Sequence, residues 1–256
     1  MTAHAADPHS YADTGKFVVR HVALDLSTDF EAHRLAGTAE LTVEQVDPAA
    51  DELVLDTRGL EISAVHLVEA SGRERVLAFE LAEPDPILGA RLSIGFPHCC
   101  AATSQMRIRI AYRTSNEASA LQWLEPSQTF GAKPYLYSQG QAIHTRSWIP
   151  LQDTPSVRVT YEARIRTPPG LVAVMSASRV EGTWPAGDRG NIPLRRRHYR
   201  SPLAQGEIRR GDPSRPLRRC GGIRQGGGVH VVGRRRLHDR SDRTGGRRID
   251  PERSLV

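Results

Sequence analysis

The chain has 256 residues, enough for one large or two modest domains, with 39% apolar residues and a formal net charge of +6. No apolar run approaches the length of a membrane span, and the opening MTAHAADPHSYAD has neither the basic nor the apolar part of a signal peptide. Cys99, Cys100 and Cys220 form neither a disulfide framework nor a zinc-ligand spacing, so the expectation is a protein of the reducing cytoplasm.

The charge is unevenly divided. Residues 191–256 hold eighteen Arg, no Lys and six acids, a net of +12, which leaves 17 basic and 23 acidic residues in 1–190, a net of −6. The basic character belongs to the tail alone.

In chain order, residues 1–16 are small and polar and are expected to be flexible or draped over the surface. From Phe17 a strand pattern begins, with Val22, Leu24 and Leu26 alternating with His21, Ala23, Asp25 and Ser27. After a turn at 27–33, Gly37, Ala39, Leu41 and Val43 oppose Thr38, Glu40, Thr42 and Glu44, so one face of this sheet meets water. Shorter strands are predicted at Leu53–Leu55, Ile62–Val68, Val76–Leu81 and Leu88–Ile94. Met106, Ile108, Ile110 and Tyr112 then alternate with Arg107, Arg109 and Arg113, whose arginines read as a solvated face.

The stretch 118–157 fits neither simple period. It holds Trp123, Trp148, Tyr135, Tyr137 and His144, interrupted by Pro126, Gly131, Pro134 and Pro150, with strand alternation only in pieces at Tyr135–Gln139 and Ala142–Trp148. Trp123 reads as an aromatic anchor, His144 as a satisfied core histidine, and Asp153 as a turn residue accepting from backbone N–H groups two residues on. One more clear strand runs over 157–165, where Val157, Val159, Tyr161, Ala163 and Ile165 share a face, and a short apolar strand follows at Leu171–Met175. No segment between 17 and 180 carries a capped helical period, so strand and turn spacing predicts an antiparallel all-β domain of two or three packed sheets.

The runs HVALDLSTDFEAHRLAGTAELTV, LVLDT, SALQWL, PYLYSQGQAIH, IPLQDTPSV and LVAVMSA, in order over residues 18–177, resemble the N-terminal domain of M1 zinc aminopeptidases, in the leukotriene hydrolase and bacterial aminopeptidase branch. The resemblance implies an all-β fold, a large twisted antiparallel β saddle, over residues 17–182. It also implies that Gln139, Gly140 and Gln141 lie on an edge facing the catalytic domain and line the pocket for the first side chain of a peptide substrate. Amide side chains suit that task because they donate and accept hydrogen bonds without a charge that would disturb the metal. The rival reading is that these residues merely close a sheet edge.

Full-length members hold one Zn²⁺ with the two His of an H-E-x-x-H helix and a more distant Glu, and grip the peptide amine with a G-x-M-E-N loop. This sequence has no His-Glu dipeptide anywhere and no such loop, since Gly221-Gly222-Ile223-Arg224-Gln225 lacks the Glu. No cofactor, no metal ligand and no catalytic residue is therefore assigned within the 256 residues, and the polypeptide is expected to be inactive by itself. The implied partner is a peptide substrate of the full-length family, with no membrane.

From about residue 183 Arg and Gly dominate and strands cannot be traced. Such a segment buries too little apolar surface to offset the entropy of ordering it, so 183–256 is expected to be a disordered low-complexity tail. It can be read as an arginine-rich tail that holds nucleic acid by non-specific charge, as a linker, or as translation in the wrong frame of a GC-rich gene. The two lysines of the chain, Lys16 and Lys133, against its many arginines favour the last, and the nucleotide sequence beyond codon 185 decides it. The alternative function on these grounds is a non-catalytic β-rich binding module with a basic tail.

Overall fold

The computed structural model describes residues 7–96, 105–129, 131, 133–179, 190–199 and 230–233, with side chains described up to residue 177. Cys99, Cys100 and Cys220 lie outside the described residues.

The strands, in chain order, begin with β1 (Phe17–Asp29), β2 (Arg34–Gln45), β3 (Glu52–Thr57), β4 (Leu60–Val68), β5 (Glu74–Val76) and β6 (Phe79–Leu81). They continue with β7 (Ala90–Gly95), β8 (Gln105–Thr114), β9 (Leu121–Leu124), β10 (Tyr135–Ser138) and β11 (Val159–Thr167). The last are β12 (Leu171–Val174), β13 (Ser178–Arg179), β14 (Gly190–Tyr199) and β15 (His230–Gly233). The only helical pieces among the described residues are single 3-10 turns at Pro126–Gln128 and Thr145–Ser147. The fold is all-β, as its alternating pattern predicts.

Three sheets share the strands. The largest has the order β13-β14-β11-β1-β2-β8-β4-β5, a second runs β12-β15-β10-β9, and a third β3-β7-β6. Alternation decides which face of the large sheet is dry: Val22, Leu24 and Leu26 of β1, Leu41 and Val43 of β2, Ile108 and Ile110 of β8, and Ile165 of β11 are all buried. They join Leu53, Leu55, Leu92 and Ile94 of the small sheet in one continuous core. Burial of this apolar area is the main stabilising term, at roughly 25 cal/mol per Å².

The arginines of the outer face are paired across strands rather than merely solvated. Register sets Glu40 opposite Arg109 and Glu61 opposite Arg113, and the side chains meet as ion pairs, Arg109 also reaching Glu74. Exposed pairs of this kind contribute at most about 1 kcal/mol each, so their value is in register more than in stability.

Four features depart from the sequence reading. The β1–β11 pair is parallel, His21 to Thr160 through Ser27 to Arg166, because β11 returns after a long excursion through two other sheets instead of a hairpin. The expected strand Val76–Leu81 is two strands in different sheets, hinged at Leu77, which is buried and donates its N–H to the Val65 carbonyl at 2.9 Å. The piece Ala142–Trp148 is not a strand but turns and the 3-10 turn at 145–147. Beyond residue 183, where no strand pattern was readable, β14 pairs along β11 and β15 sits between β12 and β10. Backbone hydrogen bonding needs no apolar alternation, so composition is blind to such strands. The rest of 180–256 lies outside the described residues.

At the other end, residues 7–12 lie across the domain. Ser10 Oγ and the Tyr11 N–H both donate to Asp56, at 2.6 and 2.7 Å, and the Thr154 hydroxyl donates to Asp7 at 2.7 Å.

Candidate functional site

Gln139, Gly140 and Gln141 follow directly on β10. That strand pairs with β9, Ser138 opposite Leu121, and the ladder runs one residue further through the Gln139 N–H to the Ala120 carbonyl at 2.8 Å. The chain then leaves the sheet. Gln139 and Gln141 are exposed and Gly140 is half-exposed, so the three are displayed together on the surface. The Tyr137 hydroxyl donates to Gln139 Oε1 at 2.7 Å, which leaves the amide NH₂ pointing elsewhere. The Gln141 side chain makes no hydrogen bond among the described residues. The Gln141–Ala142 peptide bond is cis.

Gly140 is small for a local reason. A Cβ there would stand 2.3 Å from Thr145 Oγ1, so the threonine side chain would have to turn aside. Its carbonyl accepts the His144 N–H at 3.0 Å, closing the loop 140–144 on itself.

Behind this loop is a brace that the sequence did not reveal. The Ser147 hydroxyl accepts the Ala120 N–H at 2.9 Å and donates to the His144 carbonyl at 2.8 Å. His144 is not a core residue: it is half-buried, with Nδ1 2.8 Å from Ser119 Oγ and 3.3 Å from Arg58 Nη1. Both neighbours can donate, so Nδ1 is the acceptor and the ring proton of the neutral form sits on Nε2. Burial, then the guanidinium groups of Arg58 and Arg146, hold the imidazole below its ordinary value.

Arg146 is the centre of the brace and is fully buried. Its Nη1 donates to the Leu88 carbonyl and its Nη2 to the His9 carbonyl, both at 2.8 Å, and its Nε meets Asp153 Oδ2 at 3.3 Å. Asp56, equally buried, lies 3.7 Å away and accepts the Asp153 N–H at 2.8 Å. Asp153 is therefore scaffold, as its sequence context suggested, but its carboxylate turns inward to Arg146 instead of capping its own turn. Burial pushes that carboxyl up to about 6, with Arg146 opposing the rise. One cation between two carboxylates ties strand β3, the loop after β10, the hairpin before β7 and residues 7–12 together, and its partners lie too far apart in sequence for any motif to expose it.

An apolar cavity of about 50 Å³ lies beneath, lined by Val22, Leu24, Thr145, Trp148, Tyr161 and Met175 among others. Trp123 is the anchor expected of it, edge-on to Phe30 at 5.0 Å and stacked on His33 at 5.4 Å between ring centroids.

Chemically, the exposed part of the site offers amides, a phenol and backbone groups: it can orient a ligand. Among the described residues no three His, Cys, Asp or Glu side chains gather as a metal would require, so a zinc site does not fit them. Among the same residues no helix is long and apolar enough to cross a membrane.

Residues 8–188 match the family model of the peptidase M1 N-terminal domain. Leukotriene A-4 hydrolase of Xenopus laevis is 39% identical over 175 residues, covering 68% of this chain and 28% of that protein. Leucine aminopeptidase 2 of Sclerotinia sclerotiorum is 37% identical over 169 residues, covering 65% and 27%. Among solved structures, yeast LTA4 hydrolase in complex with bestatin superposes with a TM-score of 0.69 at 28% identity, over 90% of this chain and 31% of the other. The chain thus spans less than a third of the length of these relatives.

Proposed function

Since this chain belongs to the M1 peptidase family through its N-terminal domain, we propose that it supplies the substrate-facing wall of a zinc-dependent aminopeptidase, the metal and the chemistry residing in residues other than these 256. In this role Gln139 and Gln141 contact the first side chain of a peptide, and Gly140 contributes its backbone. The observation that carries the reading is the pairing of exposed amides with a hydrogen-bonded support: both glutamines face solvent while the chain from Gly140 onward is closed through His144 and Ser147. Closing the backbone that carries the two amides lowers the ordering cost of binding a ligand there. The 256-residue polypeptide does not hydrolyse peptides by itself, because it contains no His-Glu-x-x-His and no G-x-M-E-N.

The wall is tested by exchange. Residues 8–179 are put in place of the matching stretch of the Sclerotinia leucine aminopeptidase 2, and aminoacyl-substrate kinetics are measured. The expectation is that Gln139→Ala with Gln141→Ala lowers kcat/KM about tenfold, the order of one or two lost hydrogen bonds, and alters preference among first residues. Unchanged kinetics and preference in an active chimera would refute the assignment.

A further inference from the structure

Among the described residues six large apolar side chains are exposed, and four of them fall within twelve residues: Val76, Phe79, Leu81 and Ile87. They surround β6, which pairs with β7 on one side only and is the edge of its sheet. The Ala78 carbonyl accepts the Gly95 N–H at 3.1 Å and the Ala82 N–H donates to the Arg91 carbonyl at 3.0 Å, so residues 78, 80 and 82 face β7. By the alternation of an antiparallel ladder, Phe79 and Leu81 turn their N–H and C=O groups to the open side. Their side chains share one face of the strand and Glu80 takes the other. Glu80 and Glu83 are exposed and have no cationic partner among the described residues, unlike Glu74, which meets Arg109.

An edge whose Phe79 and Leu81 backbone groups are unpaired among the described residues, with apolar side chains on one face and the acid Glu80 on the other, is a template for an added strand. The charge selects the occupant. A second copy of this chain, using Phe79 and Leu81 of both copies about a two-fold axis, would set Glu80 directly against Glu80, a repulsive cross-strand pair. We propose that the β6 edge is a docking site for an extended peptide segment in which apolar residues alternate with Lys or Arg. The segment adds a strand antiparallel to β6, lays its apolar residues beside Phe79 and Leu81, and sets a cation against Glu80.

The full chain is titrated with acetyl-Arg-Val-Arg-Val-Arg-Val-amide and with the same peptide carrying Glu for Arg, following amide exchange at Phe79 and Leu81. The basic peptide is expected to slow exchange at both positions at least tenfold at saturation, more weakly as salt rises, and the acidic one to leave both unchanged. Leu81→Pro removes an N–H that no strand of this domain uses, and is expected to abolish the protection while leaving the rest of the exchange pattern intact. Glu80→Lys is expected to weaken the basic peptide at least tenfold. The proposal is overturned if both peptides protect alike, if neither does, or if protection appears outside 76–87. It is also overturned if Phe79 and Leu81 are already protected without peptide, either in dilute protein or rising with protein concentration, since the occupant would then be the chain itself or a second copy.

Discussion

Asp153 links the stability of the domain to pH. It is buried beside Arg146 and within reach of Asp56, and its folded value of about 6 stands above the ordinary 3.8. Folding therefore takes up a proton between these values, and the Asp153 contribution, unfavourable above pH 6, improves as pH falls from 6 toward 4. His144 acts in the opposite sense: held below 6.5, it costs stability as acid forces a charge on it. The two are separated by Asp153→Asn, which keeps an acceptor for Arg146 and removes the titration. Relative to wild type, this variant should lose about 1 kcal/mol of the stability gained between pH 7.5 and pH 5, as read from urea midpoints at the two values. Identical pH dependence in the two proteins would contradict the assignment. None of this was legible in the sequence, where Asp56 and Arg146 stand far apart and Asp153 looks like an ordinary turn former. Gln139, Gly140 and Gln141, by contrast, entered through the family resemblance, while the Ser147 hydroxyl that links Ala120 to the His144 carbonyl left no trace in the sequence.

At the scale of elements, the hairpin of β1 and β2 depends on a single glycine. Gly37 has φ +151° and pairs with Leu26, and a Cβ on it would lie 2.0 Å from the Asp25 carbonyl oxygen. That oxygen belongs to the backbone of the neighbouring strand and cannot swing aside. Gly37→Ala should therefore destabilise the domain by roughly 2–4 kcal/mol. Gly72→Ala, at a turn where nothing lies within 4 Å of the added methyl, should cost only about 1 kcal/mol for its positive φ. Equal urea midpoints for the two variants would remove the steric argument. Strands with one wet face, such as β1, β2, β8 and β11, announced themselves by alternation. The break between β5 and β6 did not, because Val76–Leu81 reads as one run and only Leu77, buried between two sheets, marks the crossing. Nor did the parallel β1–β11 contact, since pairing direction is set by how the intervening chain travels and leaves no periodic trace.

For the whole molecule, the fold class and the packing of two or three sheets followed from alternation and turn spacing, while the saddle shape and the family's function rested on the resemblance of long words from residue 18 to 177. The described domain unites an apolar core, an outer face of cross-strand ion pairs and a clamped display of amides beside β10. Its sequence contains no His-Glu-x-x-His to activate water. The most direct test is release of fluorophore from an aminoacyl substrate by the purified 256-residue chain supplied with equimolar Zn²⁺, with and without a chelator. The account predicts no chelator-sensitive release above buffer. Turnover that the chelator abolishes would contradict it.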